Sequence, residues 1–126
     1  GEYVMTRDDI VNPTETEDSI ALGVWPIDIH PPKGQNGAHD MYVPLPYPIP
    51  YRSLIPAKIN NLIVAGRCIS TEREALGTIR VGATCGATGH AAGVAAALSV
   101  QCGCTPRKVD VQALRAELRN QNAIIE

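Results

Sequence analysis

Residues suited to chemistry fall into separate groups along this 126-residue chain. The apolar run Leu62-Ile63-Val64-Ala65-Gly66 reads as a strand, followed by a polar loop and a small-residue helix that opens near Cys85-Gly86. A strand that stops at glycine lets another backbone or a ligand come close. A helix that opens with glycine presents unpaired N–H groups and the positive end of its dipole, so the two together describe a crevice facing an anion or a cofactor. Farther back, Val24 to His30 reads as a strand whose alternation puts Asp28 and His30 on one face. A carboxylate there could orient an imidazole for acid–base work, although a hydrogen bond at the rim of a sheet explains the same pair. The polar connection from Arg67 to Ala83 carries Arg67, Glu72, Arg73, Glu74 and Arg80, and loops held by a rigid scaffold are where chemistry tends to sit.

The cysteines offer less. Cys102-Gly103-Cys104 has a one-residue spacing unlike that of zinc knuckles, and Cys68 and Cys85 have no near Cys or His. Free thiols and no metal are expected, and reduced thiols favour a cytoplasmic setting.

Other elements must hold these groups in place. Glu2 to Thr6 is β-prone and leads into a turn at Arg7-Asp8-Asp9, and Ser19 to Leu22 reads as a single helical turn. Prolines at 44, 46, 48 and 50 alternate with Tyr47 and Tyr51 nearby, which makes an extended, polyproline-like or edge segment and a rigid connector. Gly86, Gly89, Gly93 and Ala97 recur at helical spacing and line a nearly bare face that suits close packing under a sheet. Gly82 and Gly86 precede the helix body, where exposed amides suit ligand binding. Asp110 is placed to cap a last helix, to about Asn120, with Val111, Leu114 and Leu118 as its apolar stripe.

Bulk composition narrows the function. With 44% hydrophobic, 19% charged and only 4% aromatic residues, the chain suits one modest globular core. A net charge of −2 leaves no footprint for nucleic acid, and the run Ala91 to Val100 is too short to cross a bilayer. The acidic residues between Asp8 and Asp18 read as a solvated loop.

The residues from Ile49 to Val100 also resemble a known family. The stretches Ile49-Pro50-Tyr51-Arg52, Asn61 to Ser70, Glu74-Ala75 with Gly77, Arg80-Val81, Thr84-Cys85, and Gly89 with Ala91-Ala92-Gly93 are similar to the C-terminal part of FAD-dependent oxidoreductases of the glutathione-reductase-like superfamily. Gly1 to His30 resembles their substrate domain more loosely. The resemblance implies an α/β (α+β) fragment, with residues 1–50 a remnant of the substrate domain and 51–126 the C-terminal half of a Rossmann-like FAD-binding domain. It implies FAD contacts at Gly66 and Arg67 and at Gly86, Ala87, Thr88 and Gly89, where a helix N-terminus would stabilise charge on the reduced ring by about 0.3–2 kcal/mol. Gly77 with Arg80-Val81-Gly82 resembles the Gly-x-x-Arg-Leu-Gly stretch of the fumarate-reductase branch, which makes Arg80 the leading residue on the substrate side, with His30 and Arg52 behind it.

The larger departure from the family pattern is an absence: the dinucleotide fingerprint G-x-G-x-x-G occurs nowhere in the sequence. The expectation is therefore a piece of a larger flavoenzyme that passes a hydride between a small-molecule substrate and FAD. Alone it would be inactive, without retained FAD, and prone to self-association through apolar faces. A different class of function remains open, a stand-alone module that docks a partner through the proline and tyrosine run.

Overall fold

The computed structural model describes residues 1–30 and 40–126 and has an α+β architecture. Its helices are α1 (Arg7–Val11), α2 (Arg73–Ile79), α3 (Gly82–Cys102) and α4 (Val111–Asn120); its strands are β1 (Ser19–Gly23), β2 (Ile27–Ile29), β3 (Asp40–Tyr42) and β4 (Tyr47–Pro50). Short 3-10 turns lie at Tyr51–Leu54, Gly66–Cys68 and Pro106–Lys108. β1 pairs with β4 and β2 with β3, both antiparallel. Among the described residues the one parallel pairing is an isolated bridge between Met5 and Thr71.

Tyr47–Pro50 of the proline-alternating segment forms β4, which among the described residues pairs with β1 alone, as an edge strand can. Ser19 to Leu22 is strand, not the expected helical turn, because the alternative partner lies far along the chain at Tyr47–Pro50. The expected turn at Arg7 is α1 instead: the Thr6 and Asp9 side chains cap each other's backbone N–H groups in a reciprocal box. The polar connection from Arg67 to Ala83 is likewise not all loop, since Ala75 and Ile79 give α2 a buried stripe. Leu62 to Gly66 forms no ladder among the described residues; Val64 N–H donates to the Leu54 carbonyl at 2.9 Å and the chain turns into the Gly66–Cys68 helix.

α3 packs on β1 and against α4, while α2 packs on β2. A single apolar core runs through Ile20, Tyr47, Leu54, Ile79, Ala91 and Leu114, so it crosses position 50 without a break. α3 buries Thr84, Thr88, Ala91, Ala95 and Ser99. Its glycine face, expected to be wedged against another backbone, looks the other way: a Cβ added at Gly82, Gly86, Gly89 or Gly93 meets no atom within 4 Å. Both faces are built of small residues, and the buried one carries Thr84 and Thr88. The Thr88 hydroxyl donates back to the Thr84 carbonyl at 3.0 Å.

The expected free thiols hold at Cys68 and Cys85, whereas Cys102 and Cys104 are joined by a disulfide just past α3. Gly103, at φ +63°, turns the chain in the left-handed region that brings the two cysteines together. α4 matches its expectation, with Asp110 capping Gln112 and Ala113 and Leu114 and Leu118 buried.

Tyr47 locks the layers together. A Cβ on Gly23 would sit 2.1 Å from the Tyr47 ring, so glycine is what admits the ring beneath β1. Thr78 spends its hydroxyl proton on the Trp25 carbonyl, so the Tyr47 hydroxyl, 2.8 Å away, donates to Thr78. The Tyr51 hydroxyl donates to the Pro106 carbonyl at 2.8 Å. Both rings are buried, which takes Tyr47 and Tyr51 away from any partner-docking surface.

Gly23→Ala is expected to lower stability by about 1–3 kcal/mol in urea unfolding, as overpacking does. Burial raises the Tyr47 and Tyr51 phenols from 10.0 to about 12. Their protonated forms are the ones the fold accepts, so this contribution is whole below pH 10.0 and is lost as pH rises through about 12. Tyrosinate absorbance should therefore rise together with unfolding in that window; titration of all the tyrosines near 10 in the folded protein would contradict it.

Candidate functional site

Arg80 caps the C-terminal end of α2, and Val81, with extended backbone, caps the start of α3. The two helices thus meet at a two-residue corner. At that corner β2 delivers Asp28, whose Oδ2 lies 3.2 Å from His30 Nε2 and 3.4 Å from Arg80 Nη2. The Arg80 guanidinium also donates to the Asp28 carbonyl at 3.0 Å and, through Nε, to the Gly77 carbonyl at 3.4 Å. Alternation along β2 brings Asp28 and His30 together as expected, and Arg80 joins them from α2.

Gly77 makes this meeting feasible. A Cβ there would stand 3.2 Å from the Asp28 carbonyl oxygen and 3.3 Å from Ile29 Cγ1. The cleft beside these residues has a volume of about 200 Å³, and Arg73 and Leu76 of α2 also line it. Arg73 escaped the sequence reading as a site residue, although its spacing of seven from Arg80 puts the two on one face of a helix.

The residues expected to contact a cofactor also converge. Gly66, at φ +60°, donates its N–H to the Thr88 hydroxyl at 3.0 Å. Arg67 Nε donates to the Arg80 carbonyl at 3.1 Å. The Gly66–Cys68 turn therefore lies against the first turns of α3 and touches the Arg80 corner.

The helix opening differs in detail. α3 begins at Gly82, four residues before the expected Gly86, and Cys85 N–H already donates to the Val81 carbonyl. The amides without an intrahelical acceptor are those of Gly82, Ala83 and Thr84, of which Gly82 and Ala83 are exposed and Thr84 is buried; those at Gly86, Ala87, Thr88 and Gly89 lie within the helix. Thr88 is fully buried and its hydroxyl is spent on Gly66, Thr84 and Cys85. Gly86 and Gly89 are exposed and leave open space beside the helix.

Arg52 stands apart from the cluster. It makes a two-pronged pair with Asp18, Nε to Oδ2 at 2.9 Å and Nη2 to Oδ1 at 3.1 Å, and lies over the Tyr3 ring at 5.3 Å. Hydrogen bonding to the Asp18 carboxylate raises its pKa. Asp18 is 8% exposed, and removing one partner of such a pair strands the other charge, which gives Arg52 a structural task. Hydrogen bonding to Asp9, followed by burial, likewise raises the neighbouring Tyr3 phenol to about 12.

Among the described residues no group of His, Cys, Asp and Glu is arranged to hold a metal ion. No helix among them is long and apolar enough to cross a membrane. A family model described as FAD dependent oxidoreductase matches residues 1–118. No curated protein and no solved structure matches the chain.

Thr88→Val removes the acceptor for Gly66 N–H and leaves that donor without its partner, at a cost of about 1–3 kcal/mol. Faster hydrogen exchange at Gly66, with α4 amides unaffected, is the expected signature; unchanged exchange would show that the bond does not hold the turn.

Proposed function

The chain belongs to the FAD-dependent oxidoreductase family, and from that premise we propose that it forms the flavin-ring and substrate side of an enzyme that moves a hydride between a small-molecule substrate and FAD. The observation that carries this is the open first turn of α3, which lies two residues past Arg80 and so beside the Asp28–His30–Arg80 cleft. The residues present fit a flat ring: Gly82 and Gly86 put no side chain in its way, and the amides of the exposed Gly82 and Ala83 offer donors to an electron-rich edge. Gly66 and Arg67 flank the same turn.

FAD, when bound, supplies the two-electron acceptor or donor. This chain's own residues do the rest. His30, oriented by Asp28 through Nε2, exchanges a proton with the substrate. Arg80 holds Asp28 in place and borders the substrate. Arg52 is left to its pair with Asp18.

Residues 1–50 serve the substrate side and 51–126 the cofactor side, as the C-terminal part of a Rossmann-like unit. The support for assigning the pyrophosphate grip to other sequence is that these residues carry no G-x-G-x-x-G motif, and the chain alone is proposed to be inactive. Neither nucleic acid nor membrane enters the proposal. Self-association does, because Val24, Trp25, Met41, Val43 and Leu45 are all more than half exposed. The cytoplasmic expectation rested on reduced thiols; Cys68 and Cys85 are free whereas Cys102 and Cys104 are joined, and no compartment is proposed.

A polypeptide that joins this sequence to a G-x-G-x-x-G segment should show flavin absorbance bands, whereas the chain alone should show none. Gly86→Leu in the joined protein should lose most of the bands with its circular dichroism unchanged; a full flavin complement in that variant would contradict the assignment. Size-exclusion chromatography of the chain should show a species larger than a monomer, and a clean monomer would remove the self-association.

A further inference from the structure

The far end of α3 carries a cysteine pair that the flavin reading leaves unused. Cys102 and Cys104 are joined by a disulfide across the single residue Gly103. A bond across so short a loop removes little chain entropy, because that contribution grows with the number of residues enclosed. Nor does the turn need it. The Gly103 N–H donates to the Val100 carbonyl at 3.2 Å, the Cys104 N–H to the Ser99 carbonyl at 3.0 Å, and the Ser99 hydroxyl to the Cys104 carbonyl at 2.6 Å, so these bonds close the helix end by themselves. The two sulfurs are unequally placed. Cys102 is exposed, and a Cβ added at Gly103 meets no atom within 4 Å, whereas Cys104 is half-buried against the core. The reduced form also has a place in the fold: Cys102 Sγ lies 3.5 Å from the Ser99 carbonyl oxygen, which can accept from its thiol. A disulfide that is exposed and staples little is of the labile kind, open to exchange.

We propose that Cys102 and Cys104 form a reversible thiol–disulfide exchange site whose substrate is a small-molecule dithiol. One thiolate of the dithiol attacks Cys102 Sγ, the sulfur open to solvent; the bond between the two cysteines breaks, and its electron pair leaves on Cys104, which takes up a proton. The second thiolate then attacks the substrate's own sulfur in the mixed disulfide, and Cys102 leaves as a thiolate and is protonated in turn. The dithiol has lost two electrons and two protons, and the pair has gained them as two thiols. A small-molecule disulfide runs the same steps backwards. A dithiol outdoes a monothiol because its second thiol is already tethered at the mixed disulfide, which makes resolution intramolecular. The site stands apart from the flavin assignment: α3 has 21 residues, which at ~1.5 Å each set Cys102 about 30 Å from Gly82.

Dihydrolipoate and 2-mercaptoethanol, added to the folded chain, test this by alkylation and peptide mass mapping, which separates the pair from the free Cys68 and Cys85. The chain as isolated should carry the Cys102–Cys104 bond. Dihydrolipoate should open it at thiol concentrations at least about tenfold below those the monothiol needs, and added lipoate should close it again. Amide shifts of the ¹⁵N-labelled chain on reduction should stay within residues 99–106, with hydrogen exchange in α4 unchanged. In oxidised glutathione, Cys104→Ser should take up one glutathione at Cys102 at least about fivefold faster than Cys102→Ser takes one up at Cys104, because the exposed thiol is the one that meets the reagent. A chain isolated without the bond, a bond that resists dihydrolipoate until the protein is unfolded, reduction that speeds exchange in α4, equal potency of the monothiol, or equal rates in the two variants would each overturn the proposal. None of these results bears on whether flavin absorbance appears in the joined protein, so the two assignments fail separately.

Discussion

The candidate site depends on how near α2 comes to β2. At Gly77 the helix backbone approaches the Asp28 carbonyl so closely that a methyl group would already press on it. That approach puts the Arg80 guanidinium within reach of the Asp28 carbonyl and carboxylate together, and the carboxylate in turn faces His30. Because α3 starts two residues after Arg80, the same contact decides where the open helix end points. A side chain at position 77 would move the acid, the base, the cations and the bare amides at once.

The surrounding structure holds that geometry rigidly. Tyr47 passes beneath Gly23 and ties β4 to α2 through Thr78, whose proton goes on to the Trp25 carbonyl just before β2. Thr88 clasps the Gly66 turn from the buried face of α3. These neutral hydrogen bonds are individually worth only about 1 kcal/mol. Their value to the site is positional: each fixes one element against the helix corner at Arg80, and the glycine face of α3 is left facing open space because the threonine and alanine face is taken by the core.

Local rules gave the parts of this arrangement that are local. Two-residue alternation was enough to pair Asp28 with His30. The cap at Asp110 and the stripe at Leu114 and Leu118 sit within one helix, and the alternating prolines of β4 permit only an edge. Non-local facts stayed hidden. Ser19 to Gly23 carries no strong β signal and becomes a strand because Tyr47–Pro50, far along the chain, pairs with it. α2 is masked by the charges of Glu72, Arg73 and Glu74, and only the i, i+4 pair Ala75 and Ile79 betrays it. The true start of α3 lacks a side-chain cap at Val81, so nothing marked Gly82 over Gly86. Which of two small-residue faces would be buried could not be read at all without the sheet beneath. Arg73 was not singled out because Arg80 carried the family resemblance; the fold engages Arg80 Nε and Nη2 with Gly77 and Asp28, a fact the sequence does not carry.

Whether the first turn of α3 faces a flavin ring is tested by mapping backbone amide shifts as lumiflavin, the bare ring without its nucleotide, is added to the labelled chain. A ring seated there gives weak, saturable shifts that are largest at Gly82, Ala83 and Thr84 and extend to Gly66 and Arg67. Shifts centred elsewhere, such as along Leu45 to Pro48, or a complete absence of saturable shifts at Gly82 to Thr84, would contradict it.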